Sequence, residues 1–455
     1  MKNVLFSLFL ISCISGFSQC YISVQAGGFQ SMGQQIDGTL WSWGNNVSGQ
    51  LGIGNLEAQT SPVQINEDTD WVTYSLGVNH VMAIKENGTL WLWGSNANDQ
   101  LGDGTGQNSL VPIQIGADTD WMEVSAGRSF SLALKQDGTL WAWGANFFNQ
   151  LGDGTSVNRD EPVMIGQDTD WMQIEAGAEH SIALKMDGTL WSWGSNNLGQ
   201  LGNGEFENVS APMQIGNAND WSEIQTGTFH TLALKADGTL WSWGEDDLGQ
   251  LGRPTPALID QALPGQIGTD NDWSAVGCGA NFSLAIKENG TLWSCGENVS
   301  GALGDGTTDN RNEFEQVPGD EVWETADGGV RHTAALEENN AFLWGGNLGG
   351  QIGDGTNEDR LTPLLLNECT LSTDDGESQK FAVYPNPTVD ILNISSDDYL
   401  DSFELAIHDL SGQLVMLSRT DRNHQLDLAS LEAGVYLLVI KTKNGFTSHH
   451  RVVKN

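Results

Sequence analysis

A motif close to DGTLWSWG recurs along the chain, and this repetition constrains the fold more than any other sequence feature. Seven copies are present, at 37–44, 87–94, 137–144, 187–194, 237–244, 289–296 and, in degenerate form, 339–346. The first five copies are 50 residues apart, and the next follows after 52. This period is too long for helical or leucine-rich repeats and is typical of one β-propeller blade. The sequence therefore predicts a ring of seven similar units.

Each unit consists of short, β-prone segments that are separated by turn residues. The third unit contains WMEVSAG at 121–127, SLALK at 131–135, TLWAWG at 139–144 and EPVMIG at 161–166. Such short, mostly alternating segments predict four strands per unit and no substantial helix. The Asp137-Gly138 pair predicts a two-residue hairpin turn with positive φ at both positions. The 18 tryptophans all lie between Trp41 and Trp344, and they are best explained by packing between blades.

The repeat also resembles a known family. The fourth unit reads AGAEHSIALKMDGTLWSWGSNNLGQLGNG at 176–204, and similar sequence extends over residues 21–367. This pattern resembles the repeat of the regulator of chromosome condensation family (RCC1-type), whose members are seven-bladed β-propellers. The resemblance implies an all-β propeller over residues 19–370. Departures occur at 252–265, which replaces a DGT loop, and at Cys295, which stands where the second tryptophan belongs.

The N-terminus has the features of an export signal. Residues 1–18 carry Lys2 and an apolar stretch from Val4 to Leu10, too short to span a membrane. They predict a secretory signal peptide that is cleaved after Ser18. Lipid modification at Cys13 is an alternative, because Leu10 to Cys13 resembles a bacterial lipobox.

A second type of sequence follows the ring. Residues 371–379 are acidic and polar and predict a linker, whereas residues 380–455 contain six or seven short β-prone segments without tryptophan, which predict a small β-sandwich. This part resembles the type A C-terminal sorting domain of the type IX secretion system. Besides Asp409 and the basic end from Arg451 to Lys454, the residues that carry the resemblance are Tyr384, Pro385, Asn386, Pro387, Gly412, Gly434 and Tyr436. The resemblance implies contact with the secretion machinery and frequent removal of the domain after export; retention as a structural module is the alternative.

Charge separates the two parts and limits the partners. Residues 1–379 contain 12 basic and 50 acidic residues, a net charge of −38, whereas residues 380–455 contain 7 and 9, a net charge of −2. Such an acidic ring repels phosphate backbones and lacks a basic stripe, so we expect no binding to nucleic acid. Solubility outside the cell explains the acidity more simply than an acidic docking face does.

The cysteines fit an oxidising environment. After removal of Cys13 with the signal peptide, four cysteines remain, and four can pair in three ways. Cys20 and Cys369 are candidates for a bridge that would latch the ring, and Cys278 and Cys295 are candidates for a second bridge; the sequence leaves the connectivity open. A zinc site is disfavoured, because no cysteine pair or histidine has suitable spacing.

No repeated residue predicts catalysis, a metal or a cofactor. His80, His180, His230 and His332 share one repeat position, but the same position holds Gln30, Phe130 and Phe282, so we interpret these histidines as hydrogen-bonded core residues. Asp68, Asp70 and Asp120 recur in several blades and are interpreted as solvated loop residues.

Candidate binding residues are those that differ between blades, because a propeller presents its variable loops on its faces. The residues after the strand-ending glycines should lie on one side of the ring, around its axis. The candidates from these pairs are Phe29, Asn79, Arg128, Glu179, Phe229, Asn281 and Arg331. Phe147 and Phe148 predict either an exposed interaction anchor or packing against a neighbouring loop.

These features favour an exported, non-catalytic module that binds a protein or glycan at the cell surface or in the medium. The family resemblance supplies a precedent, since secreted bacterial relatives include inhibitors that grip a target enzyme through one ring face. Two alternatives remain. One is a polysaccharide-active enzyme, which would require acidic residues converging at the axis. The other is guanine-nucleotide exchange by analogy with the family founder, which an exported protein would have no occasion to perform.

Overall fold

A computed structural model describes residues 20–254 and 259–367 together with parts of the C-terminal segment. In that segment the described residues are 381–384, 388, 391–396, 403–408, 414–420, 425–431, 434–442 and 447–454. They divide into two compact units, one within Gln19–Cys369 and one within Thr370–Asn455. The predicted signal peptide with Cys13, the linker, Cys369, Gly412 and Pro385 to Pro387 lie outside the described residues.

The first unit is a seven-bladed propeller. Each blade is an antiparallel sheet of four consecutive strands. Blade 1 contains β1 (Tyr21–Ala26), β2 (Gln30–Gln35), β3 (Leu40–Gly44) and β4 (Gln59–Gln64); blade 2 contains β5 (Trp71–Leu76), β6 (His80–Lys85), β7 (Leu90–Gly94) and β8 (Ser109–Gln114); blade 3 contains β9 (Trp121–Ala126), β10 (Phe130–Lys135), β11 (Leu140–Gly144) and β12 (Arg159–Ile165); blade 4 contains β13 (Trp171–Ala176), β14 (His180–Lys185), β15 (Leu190–Gly194) and β16 (Val209–Gln214).

The remaining three blades follow the same plan. Blade 5 contains β17 (Trp221–Thr226), β18 (His230–Lys235), β19 (Leu240–Gly244) and β20 (Gln261–Gln266); blade 6 contains β21 (Trp273–Cys278), β22 (Phe282–Lys287), β23 (Leu292–Gly296) and β24 (Arg311–Gln316); blade 7 contains β25 (Thr325–Gly328), β26 (His332–Glu337), β27 (Asn340–Gly345) and β28 (Arg360–Asn367). The described residues form strands and turns without helices, so the all-β propeller prediction is confirmed.

The second unit contains seven strands in two sheets. They are β29 (Phe381–Tyr384), β30 (Ile391–Ser396), β31 (Phe403–His408), β32 (Leu414–Thr420), β33 (Gln425–Asp427), β34 (Gly434–Thr442) and β35 (Thr447–Lys454). One sheet has the order β29-β30-β33 and the other β32-β31-β34-β35. Leu392 and Ile394 from the first sheet pack against Leu405, Leu438 and Ile440 from the second. This shared core confirms the predicted sandwich. Tyr384 lies at the end of β29, and Gly434 and Tyr436 lie in β34.

Tryptophans join each blade except blade 6 to the preceding one. The Trp143 side chain is fully buried, and its indole Nε1 donates a hydrogen bond of 2.9 Å to the carbonyl oxygen of Gln100 in blade 2. Its ring also packs on Gly102, where an added Cβ would lie 2.7 Å from Nε1. Trp121 of the same blade lies edge-on to Trp141, with ring centroids 5.8 Å apart. The tryptophans therefore fill the space between blades, as the sequence predicts.

The ring closes with the contacts that join other blades. The Trp43 indole of blade 1 donates to the Gln351 carbonyl oxygen of blade 7 over 2.9 Å, and Gly355 N donates to Thr60 O over 2.7 Å. Among the described strands, no sheet combines strands from both ends of the ring. Closure therefore depends on packing and isolated hydrogen bonds rather than on a shared sheet.

The DGT hairpins differ from their predicted geometry. Gly138 has a φ of 77°, but Asp137 is not in the left-handed region. Gly138 N donates to Lys135 O, and Lys135 N donates to Thr139 O, as in a three-residue turn with a bulge. Asp137 instead accepts hydrogen bonds from the backbone and hydroxyl of Thr139. The predicted two-residue turn is therefore wrong for this blade.

Blade 7 has the two-residue turn, because its repeat has lost a residue. Glu338 and Asn339 have φ values of 47° and 69°, and the flanking residues Glu337 and Asn340 are paired.

Blade 6 replaces the second tryptophan without losing its packing. Phe314 in β24 stands at a position that other outermost strands give to proline, as in Pro162 of blade 3. Its ring lies 5.8 Å from that of Trp273. An added Cβ on Gly252 would meet both Phe314 and Cys295, whereas the equivalent glycines of other blades meet the indole. Phe314 therefore occupies space that an indole fills elsewhere.

This exchange predicts a coupled pair of substitutions. We expect Cys295→Trp alone to lower the free energy of unfolding by about 1–3 kcal/mol, because the indole meets the Phe314 ring. Adding Phe314→Pro should relieve most of that loss, since it restores the arrangement of the other blades. Urea unfolding of the two single variants and the double variant, followed by tryptophan fluorescence, measures the coupling. Additive effects would show that the two positions do not share the space.

Candidate binding face of the propeller

Strand direction places the connections of each blade on two faces. Because neighbouring strands are antiparallel, the turn after the first strand and the loop after the third strand lie on the same face. We call this the loop face. The hairpin turns between second and third strands, and the links between blades, lie on the opposite face, which we call the turn face. All nine predicted binding residues lie on the loop face.

The turns after the first strands surround the propeller axis. Gly28, Val78, Arg128, Ala178, Thr228, Ala280 and Val330 line a depression of about 110 Å³. Backbone hydrogen bonds connect neighbouring turns, including Thr228 N to Ala280 O and Ala280 N to Gly329 O, both 3.0 Å. The variable residues thus lie around the axis, where the sequence places them. Their role in binding stays a prediction.

Several of these residues contact acidic side chains on the same face. Arg128 lies 3.7 Å from Glu179, and Arg331 lies 3.6 Å from Glu297. The Asn281 amide donates to Glu297 over 2.9 Å. Burial raises the pKa of Glu179, and the Arg128 guanidinium partly offsets this effect. Both arginines remain exposed enough to contact a ligand.

The loops after the third strands place apolar side chains at the surface. In blade 3 the buried Asn146 accepts a hydrogen bond from Leu151 N and donates one to Asp153, which fixes the loop. The next residue, Phe147, is 63 % exposed, and Phe148 is 38 % exposed. For Phe147 the structure therefore does not support the alternative expectation, that the ring packs against a neighbouring loop.

The equivalent position in other blades extends this feature. Val299, Leu348 and Val47 are also exposed, in blades 6, 7 and 1, whereas blades 4 and 5 have Asn197 and Asp247. Phe29, 41 % exposed, lies on the same face of blade 1. We call Phe29, Val47, Phe147, Phe148, Val299 and Leu348 the apolar arc. Sequence reasoning missed three of its members, although an apolar residue after the loop asparagine was a readable signal.

A second feature that sequence reasoning missed lies inside the ring. The first strands of the blades line an axial cavity of about 440 Å³. Its lining includes the carboxylic acids Glu175, Glu223 and Asp327, and Glu123 lies in the adjacent strand β9. The readable signal was a pair of polar residues two and four positions after the tryptophan or tyrosine at or just before the start of the first strand, which occurs in every blade except blade 6, where alanine and glycine take these positions.

The acids cap the exposed edges of neighbouring blades. A first strand pairs on one side only, so its other backbone groups need partners. Glu123 Oε1 accepts a hydrogen bond of 2.9 Å from Ile174 N, and Asp327 Oδ2 accepts one of 3.0 Å from Ala26 N. Gln173 provides the same contact to Ile224 N. The polar positions therefore have a structural role in joining blades.

Burial inside the ring shifts the pKa values of these acids. It raises the pKa of Glu123 to about 7 and that of Asp327 to about 7. It also raises the pKa of Glu223, and it raises that of Glu175 well above the usual range, with further contributions from the charges of Glu123, Asp327 and Glu223. The interior thus favours protonated acids.

The repeated histidines are all buried in the core, as predicted, and three of the four are hydrogen-bonded, whereas His180 is not. His80 Nε2 lies 3.1 Å from Ser131 Oγ, His230 lies 3.0 Å from Ser283, and His332 lies 2.9 Å from Ser31. Burial lowers the pKa of His80 to about 4, which keeps the ring neutral. Within the described residues, no group of histidine, cysteine and acidic side chains is arranged to hold a metal ion.

The aspartates near the strand starts are partly solvated loop residues, as expected, but they also bind a lysine, which the sequence interpretation did not include. Lys85 Nζ lies 2.7 Å from Asp68 and 2.9 Å from Asp70. The same ammonium group lies 4.6 Å from the centroid of the Trp71 ring. Asp120 pairs with Lys135 in the same way, at 3.0 Å. These aspartates hold the lysine over the tryptophans on the turn face.

The predicted bridge between Cys278 and Cys295 is wrong, because both are buried free cysteines. Each is paired with Ser283 of the strand between them, so two strand spacings, about 10 Å, separate their backbones. That distance is too long for a disulfide. Cys20 is disulfide-bonded. Its pairing with Cys369 stays a prediction, because Cys369 lies outside the described residues.

Architecture and repeat together define a β-propeller of repeated blades. The family model for the RCC1-like domain matches residues 10–327, and that for the secretion system C-terminal sorting domain matches residues 382–455. The chain therefore belongs to the RCC1-like domain family. The sorting domain indicates a secreted or cell-surface bacterial protein. No described helix is long and apolar enough to cross a membrane.

Solved structures share the fold. Human WBSCR16 is 22% identical, with a TM-score of 0.66, over 72% of this chain and 94% of that one. Yeast RCC1 (Prp20), in a complex with Kap60, is 19% identical, with a TM-score of 0.66, over 84% of this chain and 93% of that one.

Curated relatives match shorter segments. Beta-agarase D from Zobellia galactanivorans is 37% identical over 76 residues, 17% of this chain and 15% of its own length. The ultraviolet-B receptor UVR8 from Arabidopsis thaliana is 38% identical over 76 residues, 16% of this chain and 17% of its own length. Ulvan lyase NLR42 from Nonlabens ulvanivorans is 23% identical over 192 residues, 41% of this chain and 35% of its own length. The chain thus spans about a sixth of the first two relatives and about a third of the lyase.

The histidines provide a test of the blade contacts. His180 differs from the other three, because neither ring nitrogen has a hydrogen-bond partner. The same position holds phenylalanine in blades 3 and 6, so we expect His180→Phe to leave the free energy of unfolding unchanged or to raise it. His80→Phe should lower it by about 1 kcal/mol, because it removes the bond to Ser131. Urea unfolding of both variants measures the difference, and equal losses would contradict the assignment.

Proposed function

We propose that the chain is an exported, non-catalytic binding protein that contacts a protein or glycan through the loop face of its propeller. Cleavage of residues 1–18 and passage through the type IX machinery by means of residues 380–455 deliver it to the cell surface or the medium. A bridge between Cys20 and Cys369 would strengthen the ring there, where oxidising conditions maintain disulfides.

The observation that carries this proposal is the apolar arc. Its members come from blades 6, 7, 1 and 3, and most are more than half exposed. Large exposed apolar side chains that cluster on one face are typical of interaction surfaces. Aromatic residues in particular are frequent hot spots. The polar residues Asn79, Arg128, Glu179, Asn281 and Arg331, with Phe229, lie nearer the axis and would supply specificity.

The class of partner follows from charge and from the relatives. Residues 1–379, most of which form the ring, carry a net charge of −38, which disfavours nucleic acid. The partial similarity to an agarase and an ulvan lyase supports a glycan-rich setting for this protein. A glycan or a glycan-bearing surface protein is consistent with aromatic and arginine side chains on one face.

Binding can be localised with matched substitutions on the two faces. The full chain is immobilised and exposed to cell-surface and culture extracts, and to purified polysaccharides. We expect a stoichiometric partner whose affinity falls by about tenfold or more for Phe147→Ala, Phe148→Ala, because both rings lie in the arc. Met186→Ala is the control, since Met186 is 66% exposed on the turn face. Equal loss in both variants, or no partner under any condition, would contradict the proposal.

A polysaccharide-active enzyme is the second candidate, and the axial acids favour it. Glu175, Glu223 and Asp327 converge on one cavity, as such an enzyme requires. A screen for cleavage of acidic and neutral polysaccharides by the full chain tests this function. Activity that is lost in Glu223→Gln, while tryptophan fluorescence stays native, would favour the enzyme over the binding module. The absence of cleavage across the screen would leave the binding proposal as it stands.

A further inference from the structure

Three carboxyl groups from different blades line the axial cavity, and a fourth, that of Glu123, interacts with one of them. Glu123, Glu175, Glu223 and Asp327 belong to blades 3, 4, 5 and 7, so the group crosses the ring rather than lying along one strand. The charges of the other three all act on Glu175. The lining residues that the structure describes include no lysine, arginine or histidine that could neutralise them.

Each carboxyl group is also part of a contact between blades. Glu123 joins blade 3 to Ile174 of blade 4, and Glu223 Oε1 joins blade 5 to Val276 N of blade 6 over 3.3 Å. Asp327 joins blade 7 to blade 1 through Ala26 N. Glu175 accepts hydrogen bonds from Ser125 of blade 3 and Gln225 of blade 5. Charge on these groups therefore develops within the interfaces that hold the ring together.

The other titratable groups that face the acids stay neutral in the relevant pH range. Tyr74 of β5 and Cys278 of β21 interact with Asp327, and burial raises the pKa of both groups. Tyr21 of β1 interacts with Tyr74, and burial raises its pKa too. Mutual repulsion among the four carboxylates is therefore the charge interaction that grows in the cavity as protons leave.

We propose that the axial carboxyl groups make the propeller respond to pH, so that contacts between blades are strongest when the groups are protonated and weaken as the pH rises through neutrality. Ring stability is thereby coupled to the proton concentration outside the cell, independently of what the loop face binds.

The direction follows from linkage. An unfolded acid loses its proton near pH 4.5, whereas Glu123 and Asp327 lose theirs near a pKa of about 7 in the folded ring. The folded state therefore holds more protons between these values, and stability falls as the pH rises through them. The buried histidines oppose this trend at lower pH, because burial lowers their pKa to about 4 or below. The unfolded histidines titrate near pH 6.5 and still lose protons up to about pH 7.5, so their opposing effect fades across this range and is the same in variants that change only an acid.

The test uses the full chain between about pH 6.5 and about pH 8. All tryptophans lie between Trp41 and Trp344, so their fluorescence during urea unfolding reports the propeller alone. For each extra proton that the folded ring retains, we expect the folding equilibrium constant to fall about tenfold per pH unit. Glu175→Gln should remove one such proton and reduce the slope accordingly.

Natural repeats guide the choice of variants. Glutamine already occupies the Glu175 position in blade 5, as Gln225, and the Glu123 position in blade 4, as Gln173. Glu123→Gln preserves the acceptor for Ile174 N and serves as the second variant if Glu175→Gln does not fold. Glu86→Gln, at an exposed hairpin turn, is the control and should keep the wild-type slope. A wild-type stability that is flat above about pH 7.5, where the histidines no longer titrate, or a slope unchanged in both glutamine variants, would overturn the proposal.

Discussion

The propeller depends on one repeated contact, the buried indole that bonds to the preceding blade. Trp143 places its Nε1 against the Gln100 carbonyl and its ring against Gly102, and Trp43 makes the equivalent bond to Gln351 where the ring closes. The glycine is required because any side chain there would occupy the place of the indole. The tryptophan indole is large and flat and carries one hydrogen-bond donor, so it can be fully buried while its polar atom is still hydrogen-bonded. Blade 6 also shows that the space between blades must be filled, because the blade that has Cys295 in place of the indole has gained the Phe314 ring.

Each blade has two sheet edges, and the chain treats them differently. The outer edge carries a proline in most blades, such as Pro162 in β12, which removes a backbone donor from an exposed strand. The inner edge faces the cavity and receives side chains from the neighbouring blade, such as Glu123 and Gln173. Because some of the side chains that cap the inner edges are acids, this arrangement brings acids together near the propeller axis. Their convergence results from the way that blades are joined. The loop face bears no such requirement, and its side chains differ freely between blades.

Much of this architecture can be predicted from the sequence, for physical reasons. The 50-residue period fixes the blade, and the glycine and tryptophan positions follow from packing that every blade repeats. The location of Arg128 and Phe147 on one face follows from strand direction alone. The predictions that were wrong or incomplete concern contacts between residues of different strands and loops. Cys278 and Cys295 are close in sequence, but a strand lies between them. Asp68 is a loop residue, but its ion pair with Lys85 at the end of β6 cannot be read from the sequence. The axial acids were overlooked because their meeting requires closure of the ring.

The way the ring closes has a consequence for the order of its blades. Because each propeller sheet contains four consecutive strands, no sheet crosses a boundary between blades, and the boundary between blade 7 and blade 1 is built like those between most other blades. The position where the chain enters is therefore not marked by the architecture. A circularly permuted chain that begins at another boundary would keep every sheet intact, and a whole blade, rather than a strand, is the smallest piece that can be exchanged without cutting a sheet.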